Sequence, residues 1–77
     1  MTYQRPSEVA AGEVRALLGR NRQSIQDLAA ATGIPLSTLN RRLLVKTAFT
    51  VDELELIARH FGVSPASLLV KPSRVAS

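Results

Sequence analysis

The sequence predicts an all-α fold, a compact domain of five helices, and three observations carry that prediction. Apolar residues recur at helical spacing in five successive segments between Val9 and Leu69. Two of these segments open on reciprocal caps, Ser24 with Asp27 and Thr50 with Glu53, each pair three residues apart. Gly33 and Gly62 stand just past the last periodic residue of two segments, where a left-handed backbone ends a helix cheaply.

In chain order, residues 1–6, with Arg5 and Pro6, show no periodicity and read as a flexible N-terminal arm. Ser7 is placed to cap a first helix that runs to about Gly19, with Ala10, Val14, Leu17 and Leu18 as its buried stripe. Gly12 inside it costs about 1 kcal/mol relative to alanine, so this helix relies on packing. In the second helix Ile25, Leu28, Ala29 and Thr32 share one face. Pro35 restarts the chain at or beside the first position of a third helix. There Leu36, Leu39 and Leu43 recur at i, i+3 and i+7, while Ser37, Thr38, Asn40 and Arg41 point elsewhere. The small side chain of Ala29 lets the third helix cross the second closely, with Ile34 and Leu39 sealing the corner.

A short loop through Val45, Lys46, Thr47, Ala48 and Phe49 leads to the fourth helix, Val51 to Phe61. Its expected buried face is Val51, Leu54, Ile57, Ala58 and Phe61, with Phe49 stapled onto Leu54. A fifth helix, Pro65 to Leu69, is expected to use Ser64 as cap and to staple Val63 onto Leu68. The implied organisation is an arm over residues 1–6, a helical domain over 7–70 and a C-terminal tail over 71–77.

The 77 residues leave room for one core, and 45% apolar residues make it a globular one. With no cysteine there is neither a disulfide nor a thiolate zinc site, and one histidine, His60, cannot build a metal site alone. His60 reads as a helix-end or surface residue. Asp52, Glu53 and Glu55 are accounted for by capping and the helix dipole rather than by acid–base chemistry. No nucleophile–base pair or glycine-rich phosphate loop is present, so no catalytic residue, metal, cofactor or small-molecule substrate is expected. No apolar run is long enough for a membrane span and the N-terminus lacks a signal-peptide core, so a cytoplasmic protein is expected.

The net charge of +4 is unevenly spread. Arg15, Arg20, Arg22, Arg41, Arg42 and Lys46 face Asp27 alone between residues 14 and 47. Asp52, Glu53 and Glu55 outnumber Arg59 in the fourth helix. Positive charge therefore collects around helices two and three, which suits a polyanion.

The stretch from Ser24 to Leu44, SIQDLAAATGIPLSTLNRRLL, resembles the helix-turn-helix of the phage repressor and Cro family of DNA-binding domains. Leu28, Ala29, Gly33, Ile34 and Leu39 stand at the small, glycine and apolar positions of the motif, and the flanking helices match the family's five-helix, lambda-repressor-like order. The resemblance covers roughly residues 8–70. It implies a transcriptional regulator that binds double-stranded operator DNA, with the first helix of the motif across the backbone and the second in the major groove. Carried over by position, the base-reading residues are Leu36, Ser37, Thr38, Asn40 and Arg41. Arg41 suits guanine, Asn40 adenine, and Leu36 a thymine methyl. The phosphate-binding candidates are Arg20, Arg22, Gln23, Ser24, Gln26, Arg42, Lys46 and Thr47.

Several positions depart from the family pattern, among them Leu36, apolar where the family is usually polar. Ile25 replaces a common phosphate-binding glutamine, which passes that contact to Gln23, Gln26 or the backbone N–H groups after Ser24. Arg42 replaces an apolar residue, so it is expected to be free for phosphate while Leu43 packs. Val45 and Ala48 occupy a loop in which relatives carry glycine and proline. Two arrangements on DNA stay open: a homodimer through the helix-five region, with Leu68, Leu69 and Val70 as its patch, or a monomer on an asymmetric site. An alternative reading keeps the fold but uses Leu36, Val45, Val70 and the acidic fourth helix to dock a partner protein.

Overall fold

The computed structural model describes residues 4–70; residues 1–3 and 71–77 lie outside them, and with them the first half of the expected arm and the whole expected tail. Four helices follow in order: α1 Pro6–Arg20, α2 Ile25–Thr32, α3 Leu36–Leu43 and α4 Val51–Phe61. A 3₁₀ turn, Pro65–Leu68, closes the described chain.

The starts of α2 and α4 are made by the side chains that the spacing identified. Asp27 N–H donates to Ser24 Oγ at 3.0 Å, and Ser24 N–H donates back to Asp27 Oδ2 at 2.8 Å. Thr50 and Glu53 repeat the exchange at 3.0 and 2.9 Å. α1 starts differently from expectation. Its N-cap is Arg5, in extended backbone, and Pro6 takes the first helical position. Proline has no N–H to leave unsatisfied there and its φ is already helical. Glu8, three residues on from Arg5, accepts the Arg5 N–H at 2.9 Å. Ser7 is thereby drawn inside the helix.

Each of the four helices is followed within two residues by one with positive φ. Gly33 (φ 79°) and Gly62 (φ 71°) take this conformation without strain, as their missing Cβ allows. Arg22 (φ 54°) and Val45 (φ 60°) do so against the preference of an L side chain. After α1, Arg22 N–H bonds to Gly19 C=O and Gln23 N–H to Leu18 C=O. After α3, Val45 N–H bonds to Arg42 C=O and Lys46 N–H to Arg41 C=O. These paired bonds satisfy carbonyls that a helix end otherwise leaves open, and they hold the strained residue in place.

Each element contributes one side chain to the fully buried centre: Val14 from α1, Leu28 from α2, Leu39 from α3, Ile57 from α4 and Leu68 from the 3₁₀ turn. Ala10, Ala11, Leu17, Leu18, Ile34, Leu43, Leu54 and Ala58 complete the core. Ala29, Phe49, Phe61 and Val63 pack on its margin. No buried polar side chain lies among the described residues, so the interior is held by apolar burial alone.

Four further expectations are corrected. The fifth helix is a single 3₁₀ turn, carried by Ser67 N–H to Ser64 C=O at 3.0 Å and Leu69 N–H to Ala66 C=O at 3.0 Å. Ser64 does not cap it through its side chain; instead Ser67 Oγ donates to Ser64 C=O at 2.6 Å. Val51 is 81% exposed rather than buried: as the first residue of α4 it precedes the turn that meets the core. Leu68 is 1% exposed and belongs to the interior, which removes it from the expected dimer patch; Leu69 and Val70 remain exposed.

Candidate nucleic-acid interface

α3 is held by its apolar side and leaves the other side to solvent. The turn before it is shaped by Gly33, whose N–H bonds to Ala29 C=O at 2.9 Å. Thr32 Oγ1 donates to Leu28 C=O at 2.7 Å and accepts the Ile34 N–H at 3.3 Å, which turns Ile34 into the core. Leu39 and Leu43 are then buried at 0% and 2% exposure, while Ser37, Asn40 and Arg41 are exposed and Thr38 is half-buried. Leu36 is exposed at the start of the helix. Of the five side chains expected to read bases, four are thus exposed and Thr38 is half-buried.

The C-terminal half of α3 is braced from two directions. On one side Arg15 of α1 donates through Nη2 to Leu43 C=O. On the other, Arg42 grips Glu53 of α4 with two bonds, Nε to Oε1 at 2.8 Å and Nη2 to Oε2 at 3.1 Å. Arg42 Nη1 also donates to Thr47 Oγ1. The hydrogen bond to Arg42 is the main reason that Glu53 sits below the usual carboxylate range; the Thr50 N–H and the charge of Arg42 add to it, and burial opposes it. The same bond raises the Arg42 guanidinium above its ordinary value.

This geometry corrects the expectation that Arg42 is free for phosphate. A guanidinium committed to a two-pronged carboxylate pair has little charge or donor capacity left for DNA. Arg42 ties α3 to α4. Thr47 spends an acceptor lone pair on Arg42 and keeps its own hydroxyl proton.

The other phosphate candidates surround the start of α2 and the end of α3. Arg20, Arg22, Ser24, Gln26 and Lys46 are exposed, and Gln23 is half-buried. Asn21 Nδ2 donates to Leu17 C=O at 2.8 Å, which fastens the α1–α2 connection on which Arg20 and Arg22 sit. The capping exchange occupies the N–H groups of Ser24 and Asp27 and leaves those of Ile25 and Gln26, with the positive end of the helix dipole, for an outside acceptor. Gln23 Oε1 lies 2.8 Å from His60 Nε2, a contact between the start of the α2 segment and the last turn of α4. Sequence reading missed the roles of Arg15 and His60. Their partners lie 28 and 37 residues away, and no local spacing marks such pairs.

No helix among the described residues is long and apolar enough to cross a membrane. A family model described as a Cro/C1-type HTH DNA-binding domain matches residues 13–72. Comparison with curated proteins and with solved structures gives no match.

Proposed function

The chain belongs to the Cro/C1-type helix-turn-helix DNA-binding family, and from that premise we propose that it is a sequence-specific transcription regulator, similar to a small phage repressor or Cro protein, that reads the major groove of double-stranded DNA with α3. The observation that carries this reading is the division of α3 into a buried anchor, Leu39 and Leu43, and an exposed polar side, Ser37, Asn40 and Arg41. A helix fixed on one side and furnished with two-pronged donors on the other is what base reading requires.

In this reading Arg41 spans guanine O6 and N7, Asn40 pairs with adenine, Ser37 and Thr38 reach a base edge or phosphate, and Leu36 meets a thymine methyl. Arg20, Arg22, Gln23, Ser24, Gln26, Lys46 and Thr47 hold phosphates, with the open N–H groups of α2 between them. The protein then acts wherever the host DNA lies, in the cytoplasm or nucleoid. Leu69 and Val70, at 44% and 61% exposure, are the surface through which a second copy would pair.

Selection of bound sequences from a random duplex library at near-physiological salt tests the proposal. Two inverted half-sites about one helical turn apart mark a dimeric operator binder, and a single short asymmetric motif marks a monomeric one. Recovery of no motif, with binding that vanishes as salt rises, refutes base reading and turns attention to a docked partner protein.

A further inference from the structure

The last carbonyls of α3 are nearly all taken by the backbone that follows. Leu44 N–H bonds to Asn40 C=O, Lys46 N–H to Arg41 C=O and Val45 N–H to Arg42 C=O. Leu43 C=O receives no backbone N–H among the described residues. Its donor is Nη2 of Arg15, 28 residues earlier in the chain. Arg15 stands on firm ground: Ala11 and Leu18, four residues before it and three after, are buried against the core. Its own side chain is exposed and crosses from α1 to the end of α3. A cation there also meets the negative end of the α3 dipole.

We propose that Arg15 is a positioning residue for base reading: by holding the end of α3 to α1 it keeps Arg41 in register with its base. The inference rests on the DNA-binding reading above. Leu43 lies two residues beyond Arg41, about 3 Å along the helix axis. A two-pronged base contact tolerates about 0.5 Å and 10–20° of misplacement. The Arg42–Glu53 pair fastens the same turn to α4. One fastening leaves the helix end free to pivot about it, and a second, on another helix, removes that freedom.

The backbone at this end gives Arg15 a second reason to be needed. α3 is followed by Val45 in the left-handed conformation, φ 60°, which disfavours a β-branched side chain. Such a residue persists only where its surroundings over-determine it. The Arg15 bond fixes the carbonyl two residues before Val45 and is part of that constraint. Arg15 is at the same time an exposed cation beside α3, so direct contact with a phosphate is the competing role.

The test measures affinity by fluorescence anisotropy at several salt concentrations on two probes of equal length: a duplex carrying the motif that the wild type selects from a random library, and a mixed-sequence duplex. Arg15→Ala is expected to lose about three- to tenfold on the selected duplex, the scale of one net hydrogen bond, with mixed-sequence affinity and salt slope unchanged. Arg15→Lys keeps a donor and most of the reach, and is expected to recover most of the loss. In an Arg41→Ala background, Arg15→Ala is expected to cost about twofold or less, because the contact that it positions is gone. Circular dichroism checks that each variant is folded at the binding temperature. Where Arg15→Ala is not, Arg15→Met, which keeps the length of the side chain without an N–H donor, carries the same expectations. Equal losses on both duplexes with a salt slope lower by about one unit assign Arg15 to a phosphate and overturn the inference. An undiminished loss in the Arg41→Ala background, or no loss on the selected duplex, overturns it as well; all three leave DNA binding standing. A wild type that selects no motif removes base reading, and the role of Arg15 with it.

Discussion

Glu53 is the residue at which the fold depends most on a single side chain outside the core, and its replacement by alanine gives a measurable prediction. Its carboxylate accepts the Thr50 N–H at 2.9 Å and both prongs of Arg42 at 2.8 and 3.1 Å. The cap contributes about 0.5–1 kcal/mol. The charge-assisted bonds contribute about 1.5–2 kcal/mol, because the Arg42 and Glu53 side chains are only 19% and 16% exposed and screening removes part rather than most of the interaction. Glu53→Ala should therefore destabilise by about 2–3 kcal/mol and lower the melting temperature by about 10–20 °C in a domain of this size. Thermal unfolding followed by circular dichroism reads the shift. In an Arg42→Ala background the same replacement should lose only the cap share, about 0.5–1 kcal/mol. An equal loss in both backgrounds would refute the pairing argument. The pH dependence has a definite sign. Glu53 titrates lower when folded than when unfolded, so its contribution is complete above the ordinary carboxylate range, about pH 4.3, and is lost as pH falls through the lower folded value. The stability curves of wild type and Glu53→Gln should thus lie apart at neutral pH and converge in acid.

Three further outcomes are expected. Gly12 is exposed in the middle of α1, and a Cβ there meets nothing within 4 Å; Gly12→Ala should stabilise the protein by about 0.5–1 kcal/mol in denaturant unfolding. Arg41→Ala should weaken operator binding by about 1–3 kcal/mol and relax the preference at one base pair, whereas Lys46→Ala should weaken all duplexes alike and lower the salt slope by about one unit. Equal losses on every sequence for both variants would remove Arg41 from base reading. Arg42→Ala should lower the melting temperature while leaving the salt slope close to that of the wild type, since this charge is held by Glu53; a drop of about one full unit in the slope would return Arg42 to the phosphate set.

Much of the fold was legible because its signals are local. Ser24 with Asp27, Thr50 with Glu53, and Gly33 and Gly62 act across three or four residues, within reach of a spacing argument. The start of α1 was misplaced because serine at position 7 and proline at position 6 both favour a helix start; the fixed φ of Pro6 prevailed, with Glu8 closing on Arg5. The fate of Arg42 was not legible. Glu53 already had a sufficient explanation as a capping residue, and nothing in the spacing says that its second oxygen faces α3. The loop after α3 shows the opposite case. The family resemblance placed Val45 in a loop where relatives carry a glycine, and the backbone at Val45 is left-handed, a conformation that favours glycine.

The separation of anchor and exposed side chains along α3 also bears on how the protein can change. Positions 37, 40 and 41 lie outside the core, so under the proposed function a change of preferred operator need not pass through an unstable intermediate. Positions 39, 42 and 43 obey the opposite rule, because Leu39 and Leu43 fill the interior and Arg42 braces α4. A library randomised over the first set should return folded proteins with divergent targets, and one randomised over the second should return mostly unfolded chains with unchanged targets among the survivors. In the proposed reading, recognition and persistence fall to interleaved positions of one short helix, so that selection could act on the first set with little effect on the second.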